Sequence, residues 1–208
     1  MLLFDVGANV GAWALANVNS SNRIISVEAS PSTYEKLVNN VSGVSQIEAL
    51  NYAVSSTTEP IVIFYHCNYA NTLSTLDKQW LISPESRFGY LTDSITEVNV
   101  PVISIDKLIE KYGVPDLLKI DVEGAENIVL QSLTQKVPLL CFEWASEWKE
   151  KNIQCVEYLV SLGFREFAVQ YGDNYTFRPD KFTYSAFDII QIISNTTPKN
   201  EWGMIWAK

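Results

Sequence analysis

The chain has 208 residues, of which 47% are apolar and 19% charged, and carries a formal charge of −9. This length and apolar content suit one domain with its own core and exclude a disordered chain. The acidic balance, without any dense run of Lys or Arg, excludes a binder of phosphate backbones and disfavours anionic membrane surfaces, so neither nucleic acid nor membrane is an expected partner.

Leu2-Leu3-Phe4-Asp5-Val6 is a short apolar run that predicts a buried strand. Gly7-Ala8-Asn9-Val10-Gly11 then turns the chain into a helix carrying Trp13, Leu15 and Ala16. Arg23 to Glu28 reads as a second strand. Ser30-Pro31 starts a helix through Tyr34, Leu37 and Val38, with serine as N-cap and proline in the first turn. Gln46 to Leu50 and Pro60 to Tyr65 are further strands, the latter rich in β-branched and aromatic residues. Residues 68 to 96 are polar, weakly periodic and long for a connection, which marks a functional or mobile segment. Val98 to Ile103 predicts a strand, Ile105 to Tyr112 a helix, Asp116 to Val122 a strand and Gly124 to Leu133 a helix. Pro138 to Trp144 follows as a strand and Glu147 to Ser161 as a helix. The remainder reads as short strands over Phe164 to Gln170, Phe187 to Ser194 and Trp202 to Trp206.

Strands alternating with helices at this spacing predict an α/β domain with a mainly parallel central sheet, helices on both faces and an antiparallel C-terminal edge. Ligand sites in such sheets lie beyond the carboxyl ends of the strands, where the strand order reverses. The whole of 1–208 reads as a single domain. Cys67, Cys141 and Cys155 are odd in number and form no CxxC pair, which fits buried free thiols in a reducing compartment. No apolar run reaches the ~18 residues of a membrane span, and Met1 to Val6 is too short for a signal peptide, so the expected location is cytoplasmic.

Four motifs fall at predicted strand ends. In the first, Gly7 lets the backbone turn sharply and approach a ligand, and Asp5 offers a carboxylate for a cationic amino group. Asn9 stands where GxGxxG would need glycine, so a pyrophosphate cradle is poorly matched. Glu28, 17 residues after Gly11, can accept from both hydroxyls of a ribose. Asn51 follows the third strand, where an adenine edge or a carboxypropyl end would lie. Lys119-Ile120-Asp121-Val122-Glu123-Gly124-Ala125-Glu126 crowds ionisable groups at a strand end opposite the glycine turn, an arrangement that perturbs protonation. The first two motifs point to an adenosine ligand without separating a nicotinamide cofactor from S-adenosylmethionine.

DVGANVG, VEASPSTYEKLVNN, NYAVS, VISIDKLIEKYGVPDLLKIDVEGAE and LLCFEW resemble, in order and as far as about Trp144, the successive blocks of the FkbM family of methyltransferases. KIDVEGAE is the most specific of them, whereas the glycine turn is common to class I methyltransferases at large. The resemblance implies a Rossmann-like class I fold, S-adenosyl-L-methionine as cofactor and methyl transfer to hydroxyl groups of sugars and natural products. It implies that Asp5, Gly7, Asn9, Gly11, Glu28 and Asn51 hold the cofactor. Ala8, Ala29, Ser30, Ala53, Ser74 and Asp121 complete the expected cofactor-binding set, Ser74 resembling a serine that often follows in the family. The chain opens directly on the first strand, where many class I methyltransferases carry covering helices; this departure fits a minimal enzyme or one module of a longer protein.

Methyl transfer to a hydroxyl needs alignment and removal of the acceptor proton, by a general base or with a metal's help. Asp121 is the leading candidate base, Glu143 and Glu123 stand next, and Lys119 could orient a carboxylate or hold the acceptor oxygen. Asp121, Glu123 and Glu143 could also assemble the oxygen ligands a hard cation prefers, although no spacing demands a metal. His66, the only histidine, suits a base in principle but more often serves at a strand end through a local hydrogen bond. Trp80, Trp144, Trp148, Tyr171 and Tyr175 lie in segments that could rim a cleft and stack on a sugar. The expected acceptor is a saccharide hydroxyl, such as one on a deoxysugar like rhamnose. The alternatives are a non-sugar small molecule or, less favoured, a nicotinamide-dependent oxidoreductase, against which the missing GxGxxG counts. A nucleic-acid methyltransferase is disfavoured by the lack of a DPPY-type tetrad and by the acidic charge.

Overall fold

The computed structural model describes residues 1–197 and 201–208. The strands are β1 (Leu2–Val6), β2 (Arg23–Glu28), β3 (Ile47–Asn51), β4 (Ala53–Val54), β5 (Ile61–Cys67), β6 (Ile95–Ile103), β7 (Leu117–Ile120), β8 (Leu140–Ala145), β9 (Phe167–Tyr171) and β10 (Trp202–Ala207). The α-helices are α1 (Ala12–Asn17), α2 (Pro31–Val41), α3 (Lys78–Ile82), α4 (Ile105–Tyr112), α5 (Glu126–Leu130), α6 (Lys149–Ser161) and α7 (Ala186–Asn195).

Seven strands form the central sheet in the order β3-β2-β1-β7-β8-β10-β9. β3, β2, β1, β7 and β8 run parallel, and β10 lies antiparallel to both β8 and β9, the expected antiparallel edge. The period of two along each strand divides the apolar residues between the faces. Phe4, Ile25, Leu118 and Phe142 meet α4, α5, α6 and α7 on one face. Leu3, Ile24, Leu117 and Trp206 meet Trp13 and Ala14 of α1 on the other, with Leu37 and Val41 of α2 packed nearby on Ala8. The strand order reverses between β1 and β7, which sets Gly7 beside Asp121.

β4, β6 and β5 form a separate three-stranded sheet whose core is Ala53, Phe64 and Val100. Between β5 and β6 the chain is not a plain polar connection. It folds around a small core of Leu73, Trp80, Leu81 and Leu91, closed by Cys67 and Ala145.

One expected strand is a helix. Phe187 to Ser194 reads as β-branched and apolar, but Ile189 and Ile193, four residues apart, are the residues that bury into the core beside Val156 and Phe164. The helix is started by Ser185, whose hydroxyl accepts from the Asp188 N–H while the Asp188 carboxylate accepts from the Ser185 N–H. This reciprocal cap and the spacing of four outweigh strand propensity.

The junction of β1 and β7 is tight. Gly7 has φ +75°, and a Cβ there would lie 1.7 Å from the Asp121 carbonyl oxygen. Gly7→Ala is therefore expected to lower the melting temperature by several degrees, because the left-handed conformation alone costs about 1–2 kcal/mol and the clash adds to it. Gly43→Ala, where nothing lies within 4 Å, is the control that leaves the melt nearly unchanged in a thermal denaturation series.

Candidate active site

A cavity of about 580 Å³ opens at the carboxyl ends of the parallel strands. Its first wall is the turn after β1. Gly7 and Ala8 both donate their N–H to the Val27 carbonyl at 3.0 Å, which fastens the turn to β2. Asn9, at φ +48°, directs its own N–H to the Glu28 carboxylate at 2.9 Å, and Ser30 N–H donates to the other carboxylate oxygen at 2.8 Å. Glu28 is thus held from two sides, 7% exposed, with its side chain on the cavity wall. Burial pushes its pKa up to about 7, against the lowering effect of those two hydrogen bonds.

At the strand-order reversal stands Lys119. Its ammonium lies 3.0 Å from Asp5, 3.3 Å from Asp121 and 2.9 Å from the Gly7 carbonyl oxygen that it donates to. The Gly7 carbonyl takes a hydrogen bond from it, and the two carboxylates flank it as ion pairs. Burial opposes its charge, but the Asp121 and Asp5 carboxylates more than offset this and hold its pKa above the ordinary lysine value. Lys119 is therefore the shared cation of Asp5 and Asp121, on the cavity wall.

Beyond Lys119 the strand ends and Glu123 takes φ +57°. Glu126 steadies this loop by accepting from Val122 N–H at 3.0 Å and Gly124 N–H at 3.3 Å. Asp121, Glu123 and Glu143 each place one carboxylate oxygen within 4.8 Å of the others, the one such group among the described residues with the donor set for a metal ion. Burial, followed by the charge of Asp121, raises the pKa of Glu123 well above the carboxylate range; for Glu143 the causes are burial and then the charge of Glu123. Asp173 and Tyr175 line the same cavity, with Asp173 near enough for its charge to bear on Glu123 and Glu143.

The remaining wall comes from the segment between β5 and β6. Asn71 donates to the Asn9 side chain at 2.9 Å. The Trp80 indole packs against Gly124. Arg87 reaches the cavity but commits its guanidinium to Glu147 through Nε and through Nη2 at 2.7 Å.

Of the residues expected from the sequence, Gly7, Ala8, Asn9, Glu28, Ala29, Ala53, Ser74, Lys119, Asp121, Glu123 and Glu143 line this one cavity. Four stand behind it. Asp5 is fully buried and the cation beside it is Lys119. Gly11 makes room for α2, since a Cβ there would meet Leu37 at 2.8 Å. Asn51 donates to the Glu28 and Ala29 carbonyls at 2.8 and 3.0 Å, shaping the turn after β2. Ser30 is 1% exposed and does not cap α2 through its side chain. Trp80 and Tyr175 do line the cavity, whereas Trp144 is core, edge-on to Tyr171, and Trp148 packs behind Trp80. Sequence reasoning did not single out Arg87, Asp173 or Trp202, which lie on the wall.

The family model described as methyltransferase FkbM domain matches residues 5–168. Among solved structures, a precorrin-6y C5,15-methyltransferase from Geobacter metallireducens is similar at 11% identity and a TM-score of 0.50, over 100% of this chain and 80% of its own. A precorrin 8w decarboxylase of Methanobacterium thermoautotrophicum gives 11% identity and a TM-score of 0.51, over 100% and 81%. At this identity the likeness is one of fold. No curated protein matches the sequence significantly.

Removing the Lys119 charge strands Asp5 in the core. Lys119→Met is expected to cost roughly 3–5 kcal/mol in urea denaturation, the range for a buried ion pair broken from one side. Adding Asp5→Asn should restore a large part of that loss; a double variant no more stable than the single one would show that the pair is not the cause.

Proposed function

The chain belongs to the FkbM family of S-adenosylmethionine-dependent methyltransferases, and we propose that it is an O-methyltransferase whose acceptor is a saccharide hydroxyl. The observation that carries this reading is that one cavity joins the Gly7–Glu28 turn to a cluster of three carboxylates. The first suits an adenosine-bearing cofactor and the second suits removal of a hydroxyl proton.

The residues fit the cofactor. Gly7 has no Cβ where the turn closes on Asp121, and Glu28 is fixed by backbone N–H groups with lone pairs to spare. In this reading Gly7, Ala8 and Asn9 lie along the cofactor, Glu28 accepts from the ribose hydroxyls, and Ala29, Ala53 and Ser74 border the adenine. Asp5, Gly11, Ser30 and Asn51 support that wall from behind. The cofactor, when bound, supplies an activated methyl group, so the protein's task is alignment and proton removal.

For the proton we assign Glu143. It lies within β8 on the cavity wall, and no cation is shared with it as Lys119 is with Asp121. Burial makes its carboxylate a stronger base than an exposed one. Asp121, oriented by Lys119, and Glu123 accept hydrogen bonds from the acceptor and fix its approach. A saccharide is supported by many carboxylate acceptors for hydroxyl groups in a cavity that Phe88, Tyr175 and Trp202 also line.

Labelled cofactor offered with a panel of glycosides, small phenols, peptides and RNA should give incorporation into glycosides. Label found only in phenols or peptides would refute the sugar assignment and leave methyl transfer intact. Glu143→Gln should lower turnover by roughly 10²–10⁴-fold while S-adenosylhomocysteine still binds. The loss should not be mimicked by a chelator; turnover abolished by EDTA and restored by magnesium would transfer the role to a cation held by the three carboxylates.

The pKa of Glu28 sets a pH dependence. The ionised form is the better acceptor for hydroxyls, so affinity for S-adenosylhomocysteine should rise as pH rises through about 7. Calorimetry at several pH values should show this rise in the parent protein and a flat profile in Glu28→Gln.

A further inference from the structure

We propose that His66 is a positioning residue for the cofactor: its imidazole ties the turn after β2 to the turn at Asn71–Ser74 and so sets the width of the slot between them. The inference rests on the placement of the adenosine portion given above and adds to it a residue that does not touch the ligand.

The geometry begins with a helix cap that is not used. Ser30 occupies the N-cap of α2, where a serine hydroxyl normally accepts from an N–H of the first turn. Here it makes no such bond. The hydroxyl instead lies 3.1 Å from His66 Nδ1 and 3.3 Å from the Ser32 hydroxyl. From the other side, the Ser74 hydroxyl lies 3.4 Å from the same nitrogen while it accepts from Cys67 N–H at 3.0 Å. Two hydroxyls thus converge on one ring nitrogen. A hydroxyl can donate to this nitrogen or accept from it, so either neutral tautomer of the ring keeps the link. Burial, reinforced by the charge of Lys36, holds the His66 pKa below its ordinary value and keeps the ring neutral.

The position matters because of what each serine belongs to. Ser30 donates its backbone N–H to Glu28. Ser74 is itself a wall residue. His66 shares its face of β5 with Phe64, two residues earlier, and Phe64 lines the cavity beside Ala29 and Ala53. One imidazole therefore connects the carboxylate expected on the ribose, the apolar floor expected under the adenine and the far rim of the slot. β5 and the segment after it are already joined by the backbone bridge between Tyr65 and Thr75, and His66 ties that joined pair to the turn after β2.

The test is calorimetry with S-adenosylhomocysteine on the parent chain, His66→Ala, His66→Asn and Glu28→Ala, with steady-state kinetics alongside. His66→Ala should weaken binding roughly five- to fifteenfold, the size of one or two neutral hydrogen bonds, and the change should appear in KM for the cofactor rather than in kcat. His66→Asn, whose amide can present an acceptor near the place of Nδ1, should recover most of the affinity. Ser30→Ala deletes the same bond from its other end and should reproduce the loss, which keeps the test decisive if His66→Ala folds poorly. Unchanged affinity in both His66→Ala and Ser30→Ala with a clear loss in Glu28→Ala would overturn the inference and spare the cofactor placement. No loss in Glu28→Ala either would overturn the placement itself. Equal weakening in His66→Ala and His66→Asn would assign the effect to packing and likewise overturn the inference.

Discussion

The architecture of the site depends on one buried ammonium. Asp5 and Lys119 are direct neighbours across β1 and β7, so the pairing register of those two strands places a cation beside a carboxylate at the strand-order reversal. Neither group could stand alone there, since an uncompensated charge in the interior costs several kcal/mol. The Lys119 ammonium also takes the Gly7 carbonyl and the Asp121 carboxylate. It therefore fixes the glycine turn and the first acid of the cluster relative to one another. Two walls that come from opposite halves of the chain are joined by one ammonium.

The cavity that results is strongly acidic. Glu28, Asp121, Glu123, Glu143 and Asp173 line it, and the two cations that reach it, Lys119 and Arg87, are each committed to carboxylates. Carboxylates this close cannot all ionise freely, and burial together with mutual repulsion raises Glu123 and Glu143. Such a field repels acceptors bearing phosphate or carboxylate groups, and it favours neutral molecules rich in hydroxyls. In the proposed reaction the acceptor proton relieves part of that repulsion, so the crowding that costs stability in the resting protein becomes a driving force for proton removal.

What was legible in the sequence was what is decided locally. The turn from Gly7 to Gly11, the acid at the end of β2 and the KIDVEGAE block each sit at a strand end, and strand ends are recoverable from short apolar runs and glycine. What Asp5 and Lys119 do to each other was not legible, because 114 residues separate them and only the register of β1 on β7 sets them side by side. Arg87 and Asp173 reach the cavity from irregular segments, where no period announces which side chain points inward, and Trp202 from the first residue of β10, an inner strand. The Phe187 to Ser194 helix did carry a signal: Ser185-x-x-Asp188 is a capping pair, and it outweighs the β-branched run that reads as a strand.

The two sides of the cavity rest on different physical footings. The wall formed by the glycine turn, Glu28 and Asp121 is tied by backbone hydrogen bonds between adjacent parallel strands and by the Lys119 triad. The opposite wall, from Asn71 through Phe88, is bridged to β5 by the Tyr65–Thr75 backbone pair and beyond that is held by side chains: its small apolar core, the Arg87–Glu147 pair and the Lys151–Asp77 pair. Lys78–Glu97, about half exposed, adds little. A segment fastened by a few side-chain contacts opens at lower free energy than a sheet and tolerates substitution more readily. The sheet-end wall is therefore the more constrained of the two, and the part of the segment beyond the Thr75 bridge the freer to change its aromatic and charged residues. In the proposed reaction the acceptor is therefore chosen jointly, by the carboxylates that end the parallel strands and by the wall side chains from Trp80 to Phe88.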